Sequence, residues 1–263
     1  MKLIEKSVLV IGATGGIGNE LVRGLAKFKC RLALIGYKNA LSEELKSILA
    51  GSYYHFWQCD IRSEEEVKKT LKHIIERFEK IDIIVFVAGI GLPMHASAFS
   101  SKDFENTIKI NLIGAGYWLD IIIPHMLKNK CGTIVGISSM ASFRGIPGNV
   151  AYGPSKAGFS NLFESLQSDL RPLGIDVILI EPGFVDTKMT ASLPYTPFKI
   201  SSDKAAKLIL QAIEKSKKKY RFPVKMYLYA IFLKLLPAYC FDKMMNLKHV
   251  SDPRKTTGKN GFL

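Results

Sequence analysis

A chain of 263 residues that is 48% hydrophobic and 23% charged can bury one large core, or two at most, and is neither disordered nor collagen-like. Its four cysteines, Cys30, Cys59, Cys131 and Cys240, are scattered, with no C-x-x-C pair and no histidine cluster, which argues against a metal site and a disulfide framework. The formal charge of +14 raises nucleic acid or an anionic membrane as partners, but the excess is local, in "EKSKKKYRFPVK" at 214–225.

The opening "MKLIEKSVLVIGATGG" has too short an apolar run for a secretory signal, so a cytoplasmic setting is expected. "SVLVI" (7–11) reads as a buried strand, and a helical stretch follows through Phe28. "RLALI" (31–35) is a second strand, "SEELKSIL" (42–49) a helix and "YYHFWQ" (53–58) strand-like. "SEEEVKKTLKHIIERF" (63–78) has an N-cap serine, Glu66 at the capping-box position and apolar residues at helical spacing. "DIIVFVAG" (82–89) is a strand, two helical stretches occupy 102–129, and "GTIVGISS" (132–139) is the next strand. A helix over about 153–171 leads into the strand "GIDVILIEPG" (174–183). Continuous apolar strands separated by helices predict the α/β class: one doubly wound, Rossmann-type parallel sheet of about seven strands, covered on both faces.

The turn "VLVIGATGGIG" (8–18) leaves a strand and opens a helix. Gly12 would turn the backbone sharply, Gly16 or Gly15 would let a pyrophosphate approach, and Gly18 would allow close helix packing. A plain glycine-rich turn is the alternative, but the strand–turn–helix setting favours a dinucleotide. The second strand ends in "LIGYKN", with no carboxylate for a ribose 2′-hydroxyl and with Lys38 available to a 2′-phosphate. NADP(H) is therefore expected over NAD(H).

"AYGPSK" (151–156) sets Tyr152 and Lys156 one helical turn apart, with Pro154 in the first turn where it is tolerated. An ammonium beneath a phenol favours the phenolate and makes the tyrosine a candidate acid. After the basic run, "MYLYAIFLKLLPAYCF" (226–241) is apolar but too short to span a bilayer. It suits either a helix covering the core or one lying on an anionic membrane surface.

In this order and spacing the motifs resemble the short-chain dehydrogenase/reductase family, compact type, from Val8 to about Thr187. The resemblance implies a cofactor loop of Gly12, Thr14, Gly15, Gly16, Ile17 and Gly18, with Ile11 where threonine is common. It implies adenine contacts from Asp60 and the Ile61 backbone, and a strand end at Ala88 and Gly89, where Val87 replaces the usual polar residue. "EPGFVDT" (181–187) then lies along the nicotinamide through Pro182, Gly183, Val185 and Thr187. Asn111, Ser139, Tyr152 and Lys156 match the family's catalytic tetrad, Ser139 standing thirteen residues before Tyr152. The implied roles are general acid/base for Tyr152, substrate hydrogen bonding for Ser139, pKa lowering and ribose binding for Lys156, and a proton-relay water for Asn111.

The expected function is NADP(H)-dependent oxidation or reduction of a carbonyl or secondary alcohol, apolar or lipid-like. The alternative is a weakly catalytic NADP-binding scaffold. Residues 1–221 are expected to form the dinucleotide-binding and catalytic unit, 222–250 an apolar helical extension and 251–263 a mobile tail. The resemblance places substrate specificity in 188–203 and the C-terminal region, and Phe143, Met189, Leu193, Tyr195 and Phe198 are candidates for an apolar pocket or the core. Expected partners are a small-molecule carbonyl or alcohol, no nucleic acid, and peripheral membrane contact through 214–241. By analogy, the chain would pair as a homodimer or homotetramer through 102–129 and 153–171.

Overall fold

The apolar runs pair as parallel strands in the computed structural model, which describes residues 2–37 and 40–248. The strands are β1 (Ser7–Ile11), β2 (Arg31–Gly36), β3 (Tyr54–Gln58), β4 (Ile83–Phe86), β5 (Gly132–Ile137), β6 (Ile175–Pro182), β7 (Val185–Asp186), β8 (Ile200–Ser201) and β9 (Lys219–Phe222). Seven of them form one sheet in the order β3-β2-β1-β4-β5-β6-β9, all parallel. Strand order reverses between β1 and β4, whose register pairs Ile11 with Phe86. In such sheets that reversal opens a crevice at the carboxyl ends of the strands.

Side chains along β1 alternate between two cores. Val8 and Val10 join α1 (Gly16–Ala26), α2 (Glu43–Ile48) and α7 (Ser202–Glu214) on one face. Leu9 and Ile11 join α3 (Glu64–Phe78), α5 (Gly114–Lys128) and α6 (Tyr152–Leu170) on the other. Each such aliphatic side chain, taken wholly out of water, contributes about 2 kcal/mol. α4 (Ser101–Ile108) runs into α5 through a π-helical turn, Lys109–Ile113. Ser42, Ser63, Ser100 and Ser201 cap α2, α3, α4 and α7, each accepting a backbone N–H three residues on. Glu66 does not close a capping box with Ser63: its carboxylate reaches the Asp60 N–H at 2.9 Å.

Two features differ from the sequence reading. Part of the basic run is a strand: "KYRF" is the edge strand β9, pairing Leu179–Pro182 with Lys219–Phe222. Its alternation sends Tyr220 and Phe222 to the core, while Lys219 and Arg221 pair with Glu164 and Glu181. The apolar segment that follows is two helices, α8 (Val224–Leu235) and α9 (Ala238–Lys248). Leu236 is extended (ψ 134°), as a residue before proline prefers, so Pro237 ends α8. Lys38 and the tail 251–263 lie outside the described residues.

Candidate active site

Four backbone turns meet at the carboxyl edge of the sheet. The first follows β1. Gly12 has φ +96°, and a Cβ on it would lie 2.6 Å from the Ala88 nitrogen. Only glycine fits. A Cβ on Gly18 would strike the Gly12 carbonyl oxygen at 2.0 Å, so these two glycines lock the turn onto α1. A Cβ on Gly16 would fall 2.6 Å from the Thr187 methyl, whereas one on Gly15 would meet nothing closer than 3.4 Å. The 12-16-18 pattern is therefore the one under steric constraint. Gly15 caps α1 without any side-chain bond, and the first turn carries no acid. The helix's leading N–H groups, around Gly16 and Ile17 beside Thr14, suit an anion such as a pyrophosphate.

The ends of β2 and β3 form the second turn. Asp60 is held by Arg62, whose Nε lies 2.9 Å from one carboxylate oxygen and whose terminal nitrogen lies 2.6 Å from the other. Arg62 also donates to the Tyr37 hydroxyl at 2.7 Å and to Asn106 at 2.9 Å, with its guanidinium over the Tyr37 ring. The sequence reading passed over Arg62, although it stands two residues beyond Asp60. The Ile61 carbonyl abuts Gly114, where a Cβ would approach to 2.7 Å.

Ser139, after β5, and Tyr152, which opens α6, face each other at the third turn. The Ser139 hydroxyl accepts from Ala141 N at 3.1 Å and also hydrogen-bonds the Tyr152 phenol. Burial pushes the Tyr152 pKa up, and the Ser139 bond works against it. Pro154 sits in the first turn of α6, as expected. Lys156 is buried, and burial lowers its pKa to about 8. Its Nζ donates to the Ile137 carbonyl at 2.9 Å and lies 5.9 Å from the centroid of the Tyr152 ring. Burial, not the neighbouring ammonium, is thus the largest influence on the phenol.

Asn111 sits in the π turn, almost wholly buried. Its amide donates to Ile90 O at 2.8 Å and to Ser155 Oγ at 2.9 Å, and accepts from Ile90 N at 2.8 Å. Both donors are therefore engaged, and the side chain clamps the segment after β4. A Cβ on Gly89 would come within 3.2 Å of Asn111 Oδ1 and 3.4 Å of Lys156 Nζ. Ala88, Gly89, Asn111 and Lys156 thus share one small space.

The fourth turn follows β6. Gly183 N donates to Phe222 O at 2.8 Å, Val185 is buried, and Thr187 lies over Gly16. A Cβ on Gly91 would lie 3.0 Å from Met189 Sδ and 3.3 Å from Tyr152 Cδ2, so Met189 reaches the site. Phe143 packs against Tyr227, while Tyr195 and Phe198 are exposed on the loop.

A buried network behind the site was not singled out from the sequence. Glu181, only 2% exposed, accepts from Arg221 Nε at 2.8 Å and from Ser160 at 3.1 Å, and the Ser142 oxygen lies 3.3 Å from it. Ser160 meets Ser138 at 2.7 Å, Ser138 donates to the Lys156 carbonyl at 3.0 Å, and Ser142 donates to the Ser139 carbonyl at 2.7 Å. The visible signal was one carboxylate inside the apolar strand "ILIEPG".

The family pattern described as short chain dehydrogenase matches residues 6–197. The chain belongs to the short-chain dehydrogenase family. It is accordingly an NAD(P)-dependent oxidoreductase acting on CH–OH or C=O groups. It is 31% identical to an uncharacterized oxidoreductase of Myxococcus xanthus over 90% of this chain and 95% of that one. It is 33% identical to the 3-oxoacyl-(acyl-carrier-protein) reductase FabG of Aquifex aeolicus over 73% of this chain and 79% of the relative. A short-chain dehydrogenase of Burkholderia cenocepacia, solved in complex with NADP, superposes with TM-score 0.79 at 21% identity, covering 93% of this chain and 99% of that one. An alcohol dehydrogenase of Thermococcus sibiricus, complexed with 5-hydroxy-NADP, gives 0.73 at 25% identity over 83% and 96%.

Proposed function

We propose that the chain is an NADP(H)-dependent oxidoreductase of apolar carbonyls or secondary alcohols, with Tyr152 as general acid and base. The observation that carries this reading is the meeting of Ser139, Tyr152, Lys156 and Asn111 beside the glycine turn, at the strand-order reversal. When bound, the nicotinamide supplies or accepts the hydride. Tyr152 gives its proton to the substrate oxygen in reduction and takes it back in oxidation. Ser139 donates a hydrogen bond to the same oxygen and stabilises the charge that develops there. With a pKa of about 8, Lys156 is mainly cationic at neutral pH, which suits it to hold ribose hydroxyls and favour proton release from Tyr152. Asn111 holds the segment against which Lys156 rests, and the relay water expected there remains part of this proposal.

The cofactor would lie with its pyrophosphate on Gly12, Gly16, Ile17 and Gly18, its adenine near Asp60 and Ile61, and its nicotinamide along Ala88, Gly89, Pro182, Gly183, Val185 and Thr187. NADP(H) is favoured over NAD(H) by the absence of an acid in "LIGYKN" and by Arg62 beside Tyr37. The NADP complexes among the structural neighbours support the same choice. Met189, which approaches Gly91 alongside Tyr152, favours an apolar substrate. Pairing as a homodimer or homotetramer would use the outer sides of α5 and α6, where Tyr117, Ile121, Leu162 and Leu166 are only half-buried.

Titration with NADPH and NADH, followed by a panel of aliphatic, aromatic and sterol-like carbonyls, tests the reading. Tighter NADPH binding and carbonyl-dependent oxidation of NADPH are expected. Binding without oxidation above background across the panel would favour the scaffold alternative instead.

A further inference from the structure

Helix α8 carries apolar side chains on both of its sides. Its inner side buries Met226, Ala230 and Leu233 against Met140, Phe143 and Phe184 and against Phe241 and Met245 of α9. On the outer side, Val224, Leu228, Phe232 and Leu235 are 66%, 60%, 53% and 76% exposed. Their spacing of four, four and three residues places them on one face, and Tyr239, 76% exposed, follows beyond Pro237. Single exposed apolar residues are ordinary on a protein surface, but a continuous stripe along one helix marks a binding face.

The charges identify the partner. α8 contains no aspartate or glutamate; Lys225, exposed, borders the stripe on one side, and Lys234, on the other side, holds its ammonium 5.7 Å from the centroid of the Phe143 ring. Lys215, Lys217 and Lys218 are exposed just before β9, whereas Lys219 and Arg221 are neutralised by Glu164 and Glu181. An apolar stripe between cations complements a phospholipid surface, acyl chains below and anionic headgroups around. At about 18 Å, α8 is too short to cross a bilayer and long enough to lie in its interface.

We propose that the outer face of α8 seats the protein on an anionic phospholipid bilayer. The inner face touches the site: Met226 packs on Gly183 so closely that a Cβ there would lie 2.6 Å from its Cγ. Phe143, just beyond the Ser139 turn, packs on Tyr227. A seated α8 therefore brings the catalytic crevice within about one helix diameter of the lipid. Resting on the proposed oxidoreductase reading, this assigns the substrate to long-chain carbonyls or alcohols that partition into membranes.

The test is co-sedimentation of the full chain with phosphatidylcholine vesicles and with vesicles that also contain phosphatidylglycerol. The wild type is expected to pellet with the anionic vesicles, and Lys225→Glu to weaken the partitioning by roughly fivefold or more. Leu228→Glu/Phe232→Glu is expected to abolish it. Reduction of a water-soluble carbonyl should be unchanged in that variant, which separates failure of this proposal from failure of the catalytic one. If the double glutamate variant misfolds by circular dichroism, Leu228→Ser/Phe232→Ser replaces it. Wild-type protein left in the supernatant with both vesicle types overturns the proposal. So does a sedimentation-equilibrium dimer that these substitutions split, because the face would then belong to a second copy of the chain.

Discussion

The turn after β1 and the edge strand β9 serve the same sheet by opposite means. At the turn the work is done by missing side chains: Gly12 adopts φ +96°, and Gly12, Gly16 and Gly18 each leave no room for a Cβ. At β9 it is done by charge: Arg221 neutralises a carboxylate that is 2% exposed, and that carboxylate ties Ser160 to the site. The first region tolerates no added volume. The second tolerates no lost partner.

Gly12→Ala tests the first half most severely. It combines an unfavourable left-handed backbone with overlap on Ala88, and should cost about 4 kcal/mol of stability along with the cofactor affinity. Denaturant unfolding and NADPH titration measure the two losses. A fully stable variant would mean that the turn is more compliant than its contacts indicate.

Glu181→Ala addresses the second half. Removing the buried carboxylate leaves Arg221, about a quarter exposed, without its partner and Ser160 without its acceptor, with an expected loss of about 2 kcal/mol. Because Ser160 loses its acceptor, and Ser160 meets Ser138, which holds the Lys156 carbonyl, turnover should fall more than stability alone explains. An Arg221→Met/Glu181→Leu pair should recover much of the stability. Recovery of turnover as well would show that the network does not position Ser139.

The smallest effect belongs to Lys156, and its sign depends on pH. Burial lowers its pKa from 10.5 to about 8. Below that value both folded and unfolded chains carry the charge, and the folded state bears the full desolvation. As pH rises from about 8 towards 10.5 the folded chain releases its proton first, the unfolded chain binds more protons, and stability increases. Lys156→Met should therefore be more stable than wild type at neutral pH, by about 2 kcal/mol, with the advantage fading in alkali. Thermal melts across that range measure it.

The same contrast explains what could be read in advance. β1, β2, β4, β5 and β6 were visible because strands buried on both faces are continuous apolar runs. β9 was not, because half of "KYRF" is cationic and its partners, Glu164 and Glu181, are distant in sequence. Its two-residue alternation was present, but the neighbouring lysines obscured it. The Tyr152–Lys156 pair was visible from its helical spacing, and Asn111 and Ser139 only through the family resemblance, yet the bonds from Lys156 to Ile137 and from Asn111 to Ile90 and Ser155 exist only once β4, β5 and α6 converge. Pro237, in the middle of the apolar segment, divides it into two helices.

A Tyr152→Phe substitution addresses the heart of the proposal, since it removes one oxygen and little else. NADPH affinity should stay within about twofold, while reduction of the best carbonyl falls on the order of a thousandfold. Turnover close to that of the unmodified chain would contradict the assignment of the proton to this phenol.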